Sequence, residues 1–337
     1  MLKQIKLTLF VSFLLLTINS CSKKRTIPDV SHIKVNISIQ RFEQDIFQSD
    51  FEKIEDSIKN FKTKYGEFFE IFNHKIVQLG STENPAYPAL LKGFITDYTM
   101  NQLYKKVTKD FPHIDTLENQ LAAIFTFYKY YFPNKPVPRI ITFISGFNQS
   151  MVTTDTIIGI GLDKYLGSKC EYYKRLGIPA YARVNMYKEK IPTDCAKAWA
   201  LTQFTMSDSS FNLLSNMIYQ GKIIYFTQMM VPDANDTILT GLSKHNIEWC
   251  EKNENQMWTY LIEKKLLFTS DYLTINKFIQ DGPFTKDFGQ SSPGRAAVWI
   301  GWQIIQSYMD KYPEVSLKEL MEDNDFQTIL NKAKYKP

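Results

Sequence analysis

Arg139–Gly167 reads RIITFISGFNQSMVTTDTIIGIGLDKYLG, the clearest extended stretch in a chain whose flanks read as mostly helical. Ile140–Phe147 is rich in β-branched and aromatic residues, which suit a strand. Gly146–Ser150 supplies turn residues, and Val152–Leu162 reads as the return strand of a hairpin. Gly159 and Gly161 carry no side chain in that strand, which implies that another group lies close against the backbone there.

Outward from this hairpin the chain reads as α+β, mainly helical, with a small sheet packed on helices. The 337 residues hold 44% hydrophobic and 22% charged side chains, 19 Tyr, 24 Phe and only 14 Gly, so an aromatic packed core is expected rather than disorder. Upstream, Ile33, Val35, Ile37 and Ile39 alternate with polar residues as a half-buried strand. Ser49 and Glu52 have capping-box spacing ahead of a helix over 50–65. Helices are expected at 67–78 and 89–107. Another follows Asp115 and Glu118 and ends at Pro133. Downstream, Ile191–Pro192–Thr193 opens a helix to about Thr205, Ser209–Asn212 caps one over 213–230, and Ser243 caps one through Cys250. A further helix spans 256–267. Ser292–Pro293 reads as the cap of a nearly all-apolar helix to Lys311, with Ser316 and Glu319 capping a short one behind it.

Residues 1–20 read as an address. Lys3 and Lys6 precede an apolar run, Leu7–Ile18, of 12 residues, too short to span a bilayer. It ends in Ile18-Asn19-Ser20-Cys21, which resembles a bacterial lipobox. This implies signal cleavage between Ser20 and Cys21 and acylation of Cys21, palmitate included. An ordinary secretory signal with an incidental cysteine is the other reading. Acyl chains stabilise membrane attachment by about 0.8 kcal/mol per methylene, so the mature chain is expected to be anchored rather than spanning. Residues 21–30 form the tether and 31–337 a single globular domain, a helical half on each side of the hairpin. The basic run Lys23-Lys24-Arg25 favours a periplasm-facing anchor in the cell envelope. Net charge is +5, or +3 without residues 1–20, too mild to argue for nucleic acid.

Catalytic patterns are scarce. No two of His32, His74, His113 and His245 lie four apart, and HExxH, CxxC, GxSxG and phosphate loops are absent. No cofactor is expected. Cys170, Cys195 and Cys250 allow one disulfide at most. Cys170 with Cys195 is one pairing; separately buried thiols are the alternative. Gly221 inside a helix costs about 1 kcal/mol relative to Ala, which points to tight helix packing or to a ligand against the backbone. Arg295 at the start of a buried helix opposes the helix dipole, so it either pairs with an acid or faces a cleft.

The order of segments resembles the gliding-motility lipoprotein GldB family of Bacteroidetes. The lipobox, Ile39–Phe47, the Ile140–Gly167 stretch, IYQGKIIYF, PGRAAVWIGWQI and the terminal ILNKAKY carry that resemblance. It implies a component of the gliding machinery that contacts envelope proteins, with coupling to protein secretion. The family in turn looks like a relative of zincin-type metallopeptidases, in which an edge strand precedes an HExxH helix and a Glu before Gly on the next helix completes the metal site. Here that helix reads TDCAKAWALTQF from Thr193, and Gln220 stands before Gly221. The resemblance thus implies a pseudoenzyme whose degenerate cleft holds Asp194, Cys195, Gln220, Gly221, Lys222 and Arg295. A partner strand adding along Val152–Leu162 is the expected mode of binding. The alternatives are a metallopeptidase with unusual ligands, drawn from Asp194, Cys195 and His245, or a structural envelope lipoprotein.

Overall fold

The computed structural model describes residues 27–206 and 211–337. The signal, the lipobox, most of the tether and Ser209 lie outside them. Residues 27–32 end in a turn in which the Ser31 N–H donates to Asp29 (2.9 Å). Ile33–Pro337 is one contiguous unit.

Two short apolar runs, Arg139–Phe143 (β2) and Ile157–Gly161 (β4), form the middle of a four-stranded sheet of order β1-β2-β4-β3. Here β1 is Ile39–Arg41 and β3 is Met151–Thr153. Strands β1, β2 and β4 run parallel, and β3 runs antiparallel on the outer edge of β4. The expected 139–167 hairpin is therefore corrected. β2 and β4 pair in parallel with Ile141 opposite Gly159, and the tight reversal lies at 154–156 between β3 and β4. The physical reason is burial on both faces. Ile140–Phe143 and all of β4 are buried, the pattern of central parallel strands, whereas β3 is half-buried throughout. Only the last residue of the expected strand over 33–39 belongs to the sheet. It is held by its N–H donating to Glu118 (2.8 Å).

Side chains alternate across this sheet. Ile141, Phe143 and Ile157 meet an aromatic layer, and Ile140, Ile158 and Ile160 meet the larger core. The aromatic layer comes from Phe42–Phe47 (α1), Ile54–Tyr65 (α2), Glu67–Ile71 (α3) and Tyr87–Thr96 (α4). Phe42 sits at its centre, edge-on to Phe61, Tyr65, Phe68, Phe69 and Phe72 at 4.8–6.0 Å, the geometry favoured by the ring quadrupole. A Cβ on Gly159 would lie 2.9 Å from Phe68, and one on Gly161 would lie 2.1 Å from the Gln149 carbonyl. The group expected against these glycines is the protein itself.

Tyr98–Asp110 (α5) and Asp115–Tyr131 (α6) return the chain to β2. The expected helix over 89–107 is broken at Asp97, which caps α5 through the Met100 N–H. Two short helices, Glu171–Arg175 (α7) and Ala180–Arg183 (α8), precede Ile191–Gln203 (α9). Leu213–Met230 (α10) starts with a capping box between Asn212 and Ser215. After Asp236–Thr240 (α11), Lys244–Glu263 (α12) is one helix where two were expected. Tyr272–Ile279 (α13), Ala296–Lys311 (α14), Leu317–Glu322 (α15) and Phe326–Ala333 (α16) complete the chain. The capping box of Ser316 and Glu319 forms as expected. That of Ser49 and Glu52 does not, because Asp50 takes the Glu52 N–H.

Helices α10 and α14 cross at Gly221 and Gly301. A Cβ on Gly221 would lie 2.3 Å from the Gly301 carbonyl oxygen, and one on Gly301 would lie 1.8 Å from that of Met217. The backbones touch there, so the propensity cost of two helix glycines is offset by close packing.

Candidate functional site

A cavity of about 390 Å³ opens where α9, the loop after α11 and the start of α14 converge. Its charged lining is Lys190, Asp194, Lys197, Asp281 and Arg295. Apolar side chains, among them Val184, Leu242 and Pro283, complete the wall.

The sheet positions this site through β4. Beyond β4 the buried Asp163 carboxylate accepts from the N–H groups of Ser145 (3.1 Å) and Phe147 (2.6 Å) and from the Ser145 hydroxyl (3.0 Å). It thereby ties the exit of β2 to that of β4. Two residues on, the Tyr165 hydroxyl donates to Asp194 Oδ2 (3.0 Å) at the first turn of α9. Asp194 near a helix N-terminus is also favoured by the dipole.

Lys190 is buried. It hydrogen-bonds the Ile238 carbonyl and lies 3.8 Å from Asp194 Oδ1. Arg295 takes a left-handed conformation (φ 52°) and reaches Asp281 at 3.4 Å. Both readings of Arg295 thus hold, since it pairs with an acid and lines the cleft. The helix begins at Ala296, past the expected Ser292–Pro293 cap, because Ser292 and Pro293 are engaged by Thr285 instead. Lys197 lies one turn beyond Asp194, and among the described residues it makes no salt bridge. Burial, then the neighbouring Lys190 ammonium, hold its pKa well below the usual lysine range. Burial likewise lowers Lys190 and raises Asp194, the latter against the pull of both lysines.

The six residues expected to share one cleft do not. Asp194 and Arg295 line it. Cys195, about 100° around α9 from Asp194, is buried in the main core, where burial pushes its thiol well above the ordinary range. Gln220 is half-buried and Gly221 packs on α14. Lys222 is buried on the far side of α10, donating to the Asp323 carbonyl (2.7 Å) with its ammonium 5.4 Å from the Phe326 ring centre. Residues 220–222 were grouped with 194–195 by order along two adjacent helices, whereas the pitch of α10 turns them elsewhere. The disulfide between Cys170 and Cys195 is also corrected: Cys170, Cys195 and Cys250 are free, buried thiols. Cys170 sits in a small cluster with Tyr173 and Met186, away from the other two. His245 is exposed, and among the described residues no three His, Cys, Asp or Glu side chains gather closely enough to hold a metal ion. The ligand set of Asp194, Cys195 and His245 is therefore not assembled. Lys190, Lys197 and Asp281 were missed. A signal was present, since Lys197 is a lone charge within the apolar run Ala196–Leu201.

The family model described as gliding motility protein GldB matches residues 23–337, nearly the whole chain. The chain belongs to the GldB family. Membership makes it a gliding-motility component, and the family's lipoprotein designation places it in the cell envelope. No helix among the described residues is long and apolar enough to cross a membrane. No curated protein and no solved structure matches the chain.

Proposed function

We propose that this family member is a lipid-anchored, periplasm-facing component of the gliding machinery that acts by binding envelope partners rather than by catalysis. The reading extends to coupling with protein secretion, as the family resemblance implies. The family match carries the motility part of this reading. The anchoring part rests on the lipobox at Ser20–Cys21 and the basic tether behind it. What supports binding over catalysis is the surroundings of the α9 cleft. The thiol beside it faces the core, and its carboxylate is held by a tyrosine and a lysine. The degenerate zincin scaffold belongs to the same proposal.

Strand addition along Val152–Leu162 narrows to its β3 portion, the outer edge of the sheet. β4 is paired on both sides, and β3 is engaged by α9 through the hydroxyls of Thr153 and Thr202 (2.6 Å). We favour the cleft over that edge as the place where a partner is held.

The test is complementation of a gliding strain that lacks its own family member. Wild-type protein should sediment with membranes and restore colony spreading, and Cys21→Ala should do neither. A Cys21→Ala protein that stays in the membrane fraction and restores spreading would refute the anchor.

A further inference from the structure

The cleft contains three basic and two acidic side chains, and their pairing is uneven. Lys190 faces Asp194 at 3.8 Å, and Arg295 faces Asp281 at 3.4 Å. Lys197, on the same wall, is left with no carboxylate of its own among the described residues. The charged groups that act on it most strongly are the Lys190 ammonium, which opposes its charge, and Asp194, which is already engaged by Lys190 and Tyr165. A half-buried lysine beside a second lysine is costly for the folded chain, because like charges repel most where water is scarce. An anion seated between Lys197 and Arg295 would relieve that repulsion.

We propose that this cleft binds a single carboxylate group, with Lys197 as its ion-pair partner and Arg295 as the second donor. One observation sets the charge of the ligand: the two carboxylates are matched by Lys190 and Arg295, so the lining carries one positive charge in excess once Lys197 is protonated, a protonation that burial disfavours in the empty cleft and that a bound anion favours. A monoanion balances it, whereas a dianionic phosphate would be repelled by Asp194 and Asp281. A second observation sets its shape. Val184, Leu242, Pro283 and Pro293 line the same cavity, and its volume of about 390 Å³ admits a carboxylate carried on a short apolar stem. An acidic side chain of a peptide and a small free carboxylic acid share this chemistry. The inference deepens the binding reading and rests on it only for the source of the ligand, because carboxylate binding is measured without motility.

The test uses the full-length protein in uncharged detergent, titrated calorimetrically with three probes: the blocked tripeptide acetyl-Ala-Glu-Ala-amide, propionate and inorganic phosphate. Saturable binding of the tripeptide or of propionate is expected. A tighter tripeptide assigns the ligand to a peptide side chain, and equal affinities assign it to a free acid. Lys197→Met should weaken binding by about tenfold or more, as loss of a charge-assisted hydrogen bond does. Lys197→Arg should retain most of it. Arg295→Met serves as an independent variant, and the melting temperature of each variant verifies folding. Binding of phosphate alone, no saturable binding by any probe, or carboxylate binding unchanged in folded Lys197→Met and Arg295→Met would each overturn the proposal.

Discussion

Asp163 shows how one side chain joins the sheet to the cleft, and it makes a prediction at its own scale. Burial raises its pKa from 3.8 to about 6, against the hydrogen bonds from Phe147 and Ser145. The folded chain thus holds this proton more tightly than the unfolded chain does. Asp163 costs nothing below about pH 4, and its penalty grows as pH rises through 6, to about 2–3 kcal/mol at neutrality. Asp163→Asn removes this titration, although its amide must then face an N–H donor. The difference in unfolding free energy between wild type and Asp163→Asn should therefore shift by about 2–3 kcal/mol from pH 4 to pH 7, to the wild type's disadvantage at the higher pH. A difference that stays flat across this range, followed by urea unfolding, would contradict the assignment. Single residues were partly legible in the sequence. Asp194 and Arg295 stood out through chain position and dipole, and both reached the cleft. Lys197 stood out only as a lone charge in an apolar run, and its meaning comes from Lys190, Arg295 and Asp281, which three separate segments bring together.

At the scale of elements, the glycines of the helices divide by what surrounds them. Gly93 in α4 is exposed, with nothing within 4 Å of an added Cβ. Gly93→Ala should raise stability by about 0.5–1 kcal/mol through helix propensity alone. Gly221→Ala and Gly301→Ala drive a methyl group into the facing backbone and should each cost about 3 kcal/mol or more, Gly301→Ala the more of the two. Thermal unfolding of the three variants measures the ordering, and a neutral Gly301→Ala would refute the close crossing of α10 and α14. Helices were the legible elements because their signals are local. The apolar period of α6 and the cap of α15 can be read within a few residues. Strand pairing is not local. Arg139–Phe143 and Ile157–Gly161 looked like neighbours joined by a turn, yet their burial on both faces fits parallel central strands, and the chain inserts β3 to make that order.

At the scale of the whole molecule, a sheet lies between an aromatic helical layer and a larger helical core, and Tyr165 links the sheet to the charged cleft. The mixed α+β class followed from composition and apolar period. The composite site did not, because α9, the loop after α11 and the start of α14 lie up to about a hundred residues apart in sequence. The aromatic layer holds the strands, the strands hold Tyr165, and Tyr165 holds Asp194 in the cleft. Disturbing the far layer should accordingly reach the cleft only through loss of folding.

The central claim is that the chain serves gliding through this cleft and not through the chemistry of a thiol or metal. Colony spreading of a complemented null strain tests it most directly, with Lys197→Met and Cys195→Ala produced side by side at equal levels in the membrane fraction. The account predicts that Cys195→Ala spreads like wild type and that Lys197→Met does not. Spreading by Lys197→Met together with loss of spreading in Cys195→Ala would contradict it.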